Sequence, residues 1–289
     1  MNLNKDMIFK FFISFFAWLS ISTLFLVIFF IFKESSTFFD KMGVSSLFST
    51  SSWKQLSKHP TYGITNIIKA TIYVSITAII ISLPIGVGSA LYISCFMQES
   101  AKHSTKAIIN ILSGIPSVIY GFLGLVTLIP FLEKYFQMAA GESVLAGSIV
   151  LAIMILPYIV NTCEESMSQL KKTNDIYSKS LGVSDEYMII SLIIPASLKS
   201  ILVACVLALG RAMGETMAVM MVIGNAPILP KLLGKAQTIP SLIALEMGTA
   251  QIESMHYYSL FASGFILMLL LFIINLIFYI LKNYVSKMY

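Results

Sequence analysis

"ALGRAMGETMAV", residues Ala208–Val219, sets an arginine and a glutamate inside a run that carries no other charge from Ser200 to Ile223. About 20 apolar residues cross the hydrocarbon core of a bilayer, so the run is long enough to span one. A charge at the centre of such a helix costs roughly 2.5–3.5 kcal/mol even on the lenient insertion scale. Two of them have to be answered from within the protein. On an unbroken helix Arg211 and Glu215 stand one turn apart on one face and can form an ion pair. Ala204, Ala208 and Ala218 lie near the same stripe. Gly210 and Gly214 form a GxxxG on the adjoining one, the small-residue seam along which membrane helices approach closely. The expectation is a helix turned toward protein, with Thr216 and Asn225 as further hydrogen-bond donors. An internal ion pair can simply lock two helices together, but an intramembrane charge is first of all a functional-site hypothesis.

The rest of the chain has the same character. Of 289 residues, 57% are hydrophobic and 11% charged, and the mean hydropathy is +0.86. A soluble domain carries about 25% charged residues, so this composition belongs to an integral membrane protein in a lipid bilayer. The net charge of +5 is spread over many loops. It forms no basic run of the kind that binds nucleic acid. Cys95, Cys163 and Cys205 sit in or beside apolar runs without CxxC spacing, and His59, His103 and His256 are far apart. Neither a disulfide framework nor a metal motif is legible.

Charge-free stretches place spans at 11–32, 70–98, 107–132, 143–163 and 254–281, and the opening run, 200–223, makes six. The fold class is therefore an all-α, multi-pass membrane protein in a single transmembrane domain, residues 1–289, with both termini on one side. Placing them in the cytoplasm puts ten lysines inside and eight outside, five of the latter in the connection Lys33–Lys69. The shorter segments, with Lys102, Lys106, Lys282 and Lys287, favour the same orientation. The first apolar stretch runs 22 residues, against about 7–15 for a signal peptide, and reads as a membrane helix. Proline and glycine recur within the spans, at Pro84, Gly86, Gly88, Gly114, Pro116, Gly121, Gly124 and Pro157. They fit either close helix packing or broken helices that line a pathway.

The longest inward segment, Glu164–Lys199, begins polar and becomes helix–Gly–helix around "YSKSLGVSDEYMIISLIIP". Ser184 is placed to cap the second helix, with Asp185 and Glu186 in its first turn, where acids favour the helix dipole. Gly182, then Leu192, Ile194 and Pro195, reproduces the spacing of a glycine, nine residues, an aliphatic, one residue, an aliphatic and proline. This resembles the second half of the EAA loop of ABC-importer permeases, and it falls between the fourth and fifth spans as it does there. The resemblance implies a type I, MetI-like architecture with a cytoplasmic coupling helix, in which Gly182, Asp185, Leu192 and Pro195 serve contact with an ATPase. The front of the motif departs from the family, with Ile176, Tyr177 and Ser178 in the place of its acidic triplet and Asp175 one position early. The chain contains no GxxxxGK[ST]. Nucleotide handling is thus expected in another polypeptide.

Four further stretches, "SLPIGVGSALYIS", "LSGIPSVIYGFLGL", "ALGRAMGETMAVMMVIGNAP" and "IPSLIALEMGTA", resemble the permease subunits of phosphate importers, and among them the PstC type. "LPYIVNTCEES" looks closer to the sister PstA type. The resemblance implies a homologous second permease, an ATPase dimer that holds ATP and Mg, and an extracytoplasmic phosphate-binding protein, with no cofactor and no catalytic residue on this chain. The long outer connections Lys33–Lys69 and Gly224–Glu253 are expected to meet that binding protein. Within this reading Arg211, Glu215 and Thr216 line the path of the anion, and Glu215 competes with phosphate for the arginine. The rivals are a permease for sulfate or molybdate, an anion transporter working without ATP, and a membrane enzyme. The second has no use for the Gly182–Pro195 loop, and the third lacks a nucleophile–base pair.

Overall fold

The computed structural model describes residues 3–49, 52–55 and 57–288. Residues 50, 51 and 56 of the connection expected between Lys33 and Lys69 lie outside the described residues. Among the described residues, six helices are long and apolar enough to cross a membrane. They are α1 (Leu3–Met42), α2 (Thr65–Cys95), α4 (Ser117–Phe136), α5 (Val144–Ser180), α6 (Asp185–Gly214) and α9 (Met255–Met288). Between them lie α3 (Glu99–Gly114), the single turn α7 (Met217–Met220) and α8 (Ile239–Glu246), and one further turn of helix at Ser46–Ser49.

The core lies where α2 and α6 pack on α5. Val74, Ala78, Val150, Leu151, Ile155, Ile159, Ala204 and Ala208 fill it, all buried. The expected small-sided face of the fifth span is real, since Ala204, Ala208 and Ala218 are all enclosed. Gly121 of α4 lets that helix reach α7, because a Cβ there would stand 2.9 Å from the Ala218 Cα. Gly210 and Gly214 face open space in this chain. α1 buries none of its apolar window and runs beside α9, where Phe30 meets Phe261 and Phe39 meets Phe265.

At one end of the bundle a second cluster gathers Phe38, Leu47, Trp53, Tyr62, Ile239, Leu242 and Leu260. A two-residue ribbon, β1 (Trp53–Lys54) with β2 (Thr61–Tyr62), brings Trp53 opposite Tyr62. The Trp53 indole N–H donates to Glu246 at 2.9 Å, and His256 Nε2 lies 2.7 Å from the same carboxylate. This contact ties the first long connection to the later one. Residues 223–236 fold back as a hairpin against the start of α5, with Ser143 N–H bonded to the Val222 carbonyl and Val144 N–H to that of Gly234.

Two expected spans are broken. The stretch 107–132 is not one helix, because α3 ends at Gly114 and α4 starts at Ser117. Pro116 has no N–H to give and pushes Ile115 into extended backbone, at φ −66°, ψ 129°. Pro84 and Pro157, by contrast, sit inside continuous helices. The stretch 200–223 is also interrupted: α6 stops at Gly214, and Glu215 takes φ −71°, ψ 126° before α7 resumes. The fourth span runs on beyond 163, as α5 continues through the polar segment to Ser180.

Candidate functional site

The break after Gly214 removes the geometry on which an Arg211–Glu215 pair depends. A pair at i and i+4 needs a continuous turn, and here Glu215 has already left the helix. Among the described residues the ion pairs within 4.0 Å do not include these two. The Glu215 carboxylate instead accepts the Ala218 backbone N–H at 3.4 Å, as a cap on the short α7. Thr216 turns its hydroxyl to the Gly214 carbonyl at 3.4 Å. Asn225 gives its amide N–H to the Met220 carbonyl at 2.7 Å. The expected counter-ion and both expected donors are thus engaged with backbone.

Arg211 is exposed on the chain and lies over the ring of Tyr158, its guanidinium carbon 4.2 Å from the ring centroid. Such a stack stabilises a cation by about 0.5–2 kcal/mol without neutralising it. Tyr158 belongs to α5, and its hydroxyl donates to the Ser113 carbonyl at 3.1 Å. Tyr120 of α4 donates to the Leu112 carbonyl at 2.8 Å. Beside them Asn161 of α5 donates to the Asn110 side chain of α3 at 3.0 Å. The surface around Arg211 is therefore a patch of phenols and amides on three helices at the level where two spans break. It is exposed in the single chain, as a face shared with another subunit or with water would be.

Tyr158 and Tyr120 escaped the sequence reading. The signal available was Pro116 itself, because a carbonyl deprived of its helical donor inside a membrane requires another. Which side chain supplies it depends on how α3 and α5 are aligned, a tertiary fact.

The other expected group of residues lies on the turn between α5 and α6. Gly182 adopts φ +67°, a left-handed turn that side chains rarely take, with Val183 N–H closing onto the Ser178 carbonyl at 2.9 Å. Ser184 caps α6 by accepting the Tyr187 N–H at 3.3 Å, and Asp185 lies in the first turn. A π turn at Ile189–Ile193, containing Leu192, precedes Pro195, where the proline takes one donor out of the helical ladder. Around the turn Ile176, Tyr177, Leu181 and Tyr187 are left in the open, Leu181 79% exposed. An exposed apolar group of this size is what a contact surface presents.

Between this turn and the core, α3 is fastened to α5 by charge. Glu164, 1% exposed, lies 3.1 Å from Lys102 and also pairs with Lys106. It accepts the Ser168 hydroxyl at 2.7 Å. These side chains border a polar cavity of about 750 Å³ that Lys171, Lys172 and Asp175 also line. Among the described residues no three His, Cys, Asp or Glu side chains come together as a metal site requires.

Residues 82–287 match the model of the family described as "Binding-protein-dependent transport system inner membrane component". A probable ABC transporter permease protein of Bacillus subtilis, YqgH, is 35% identical over 85% of this chain and 79% of its own length. The phosphate transport system permease protein PstC of Mesorhizobium japonicum is 31% identical over 79% of this chain and 75% of its own. A probable PstC of Methanocaldococcus jannaschii is 28% identical over 90% and 88%. In fold, the chain superposes on a chain of a bacterial alginate ABC transporter with a TM-score of 0.66, at 14% identity over 99% of both. A chain of the MetNI methionine ABC transporter gives 0.55, at 19% identity over 77% of this chain and 94% of that one. A MetI-like bundle of six spans and a family match over most of the sequence lead to one conclusion: the chain belongs to the inner membrane components of binding-protein-dependent transport systems, as a multi-pass permease of the ABC type.

Proposed function

We propose that this chain is the PstC-type permease subunit of an ATP-driven importer of inorganic phosphate. The observation that carries the reading is the placement of Arg211: charged, free of any ion pair within 4.0 Å among the described residues, and exposed on the face where the spans break. The planar fork of a guanidinium suits a tetrahedral oxyanion. The names of the relatives from Mesorhizobium and Methanocaldococcus support phosphate as that anion.

In this reading a homologous permease faces the Arg211 surface and completes the path. The Gly182 turn, with Leu181 and Tyr187 outward, seats in a separate ATPase that holds ATP and Mg. That end of the bundle is cytoplasmic, which puts both termini in the cytoplasm. The outer connections, tied through Trp53, Glu246 and His256, receive an extracytoplasmic phosphate-binding protein.

Uptake of labelled phosphate by cells that depend on this permease tests the reading. Arg211→Ala abolishes uptake while the complex still co-purifies. Unlabelled phosphate competes, and sulfate and molybdate do not. Normal uptake by an assembled Arg211→Ala complex, or full competition by sulfate, would contradict it.

A further inference from the structure

Pro116 leaves the end of α3 with carbonyls that the helix cannot satisfy. Leu112 takes the Ile115 N–H at a long 3.3 Å together with the Tyr120 hydroxyl. Ser113 takes the hydroxyl of Tyr158, which comes from a different helix. The same Tyr158 ring carries the Arg211 guanidinium on its face. One side chain therefore meets three elements. It is rooted in the unbroken α5, its hydroxyl holds the break between α3 and α4, and its ring holds the arginine four residues before Glu215, where α6 gives way.

These contacts divide the work on physical grounds. An aromatic face steadies a cation without cancelling its charge, which a carboxylate at the same place would do. A phenolic hydroxyl bonded to the Ser113 carbonyl occupies an oxygen that would otherwise present negative potential beside the arginine. Straightening or widening the α3–α4 break pulls on the hydroxyl, and the ring under Arg211 moves with it.

We propose that Tyr158 is the positioning residue of this permease: it sets where Arg211 stands and links that position to the break at Gly114–Pro116. The proposal rests on the reading of Arg211 as the residue that faces the transported anion.

The chain contains a single arginine, so an arginine-selective dicarbonyl such as phenylglyoxal reports on Arg211 alone in the mass of the intact permease chain. The purified complex is labelled as wild type, Tyr158→Phe and Tyr158→Leu, with and without inorganic phosphate, and uptake kinetics are measured for each. The Leu variant is expected to label several-fold faster than wild type and to raise the KM for phosphate. The Phe variant keeps the ring, restores wild-type labelling and KM, and lowers the maximal uptake rate because the break is no longer held. Equal labelling of wild type and the Leu variant overturns the positioning role, whatever ion is carried. Faster labelling in the Leu variant with no protection by phosphate in any form upholds the positioning role and overturns the phosphate reading. Where the Leu variant does not assemble, the Phe variant decides: a maximal rate equal to wild type overturns the link to the break.

Discussion

Lys102 of α3 reaches the 1%-exposed carboxylate of Glu164 on α5 at 3.1 Å, and Lys106 joins it from the next turn. α3 has no fully buried residue of its own and sets Ile109 against the core, so much of its attachment is polar: this pair, Asn110 with Asn161, and Ser113 with Tyr158. Glu164→Ala strands two lysines. It is expected to cost roughly 2–3 kcal/mol, less than for a fully enclosed pair because Lys106 is partly open to solvent. Glu164→Gln keeps the Ser168 contact and costs less. Thermal melting of the purified protein in detergent measures both, and equal melting of Glu164→Ala and wild type would refute the account.

Arg211 and Glu215 are independent in this conformation. A double-mutant cycle on melting, with Arg211→Ala and Glu215→Ala, is expected to give a coupling below about 0.5 kcal/mol, the value for residues that share no contact. A coupling well above that would restore the ion pair.

Gly121 and Gly114 differ although both border the break. A Cβ at Gly121 meets the Ala218 Cα at 2.9 Å and its carbonyl oxygen at 3.2 Å, whereas one at Gly114 meets nothing within 4 Å. Gly121→Val is expected to destabilise by about 1–3 kcal/mol through overpacking. Gly114→Ala is expected to stay within about 0.5 kcal/mol of wild type. Melting curves of the two variants distinguish them directly.

The left-handed turn at Gly182 sets the angle at which α6 leaves α5. Gly182→Ala places a Cβ in that conformation at a cost of roughly 1–2 kcal/mol. Gly182→Asn, whose side chain tolerates the region better, is expected to lose less. Phosphate-stimulated ATP hydrolysis by the assembled complex is expected to fall in the same order, Ala below Asn below wild type.

Charge-free length was enough to count the spans, and capping chemistry was enough to place the turn at Gly182 and the cap at Ser184. Both are local properties. The breaks were less accessible, because Pro84 and Pro157 lie within intact helices while Pro116 does not. What separates them is the supply of donors: Tyr120 and Tyr158 accommodate an open end after Ser113. The Arg211–Glu215 pair failed for a related reason. Spacing of four residues implies proximity only while the helix continues, and Gly214 ends it. Tyr158 was invisible for want of the alignment between α3 and α5, which no single segment encodes.

α5 runs without a break for 37 residues, about 55 Å at helical rise. Ser143 fastens one end to the folded-back hairpin, and Gly182 begins just past the other. Tyr158 lies 22 residues before Ser180, about 33 Å along the same rod. The helices beside it, interrupted at Ile115 and at Glu215, can bend against it. Between the Gly182 turn and the Tyr158 ring beneath Arg211 there is thus only continuous helix, with no flexible joint on the way.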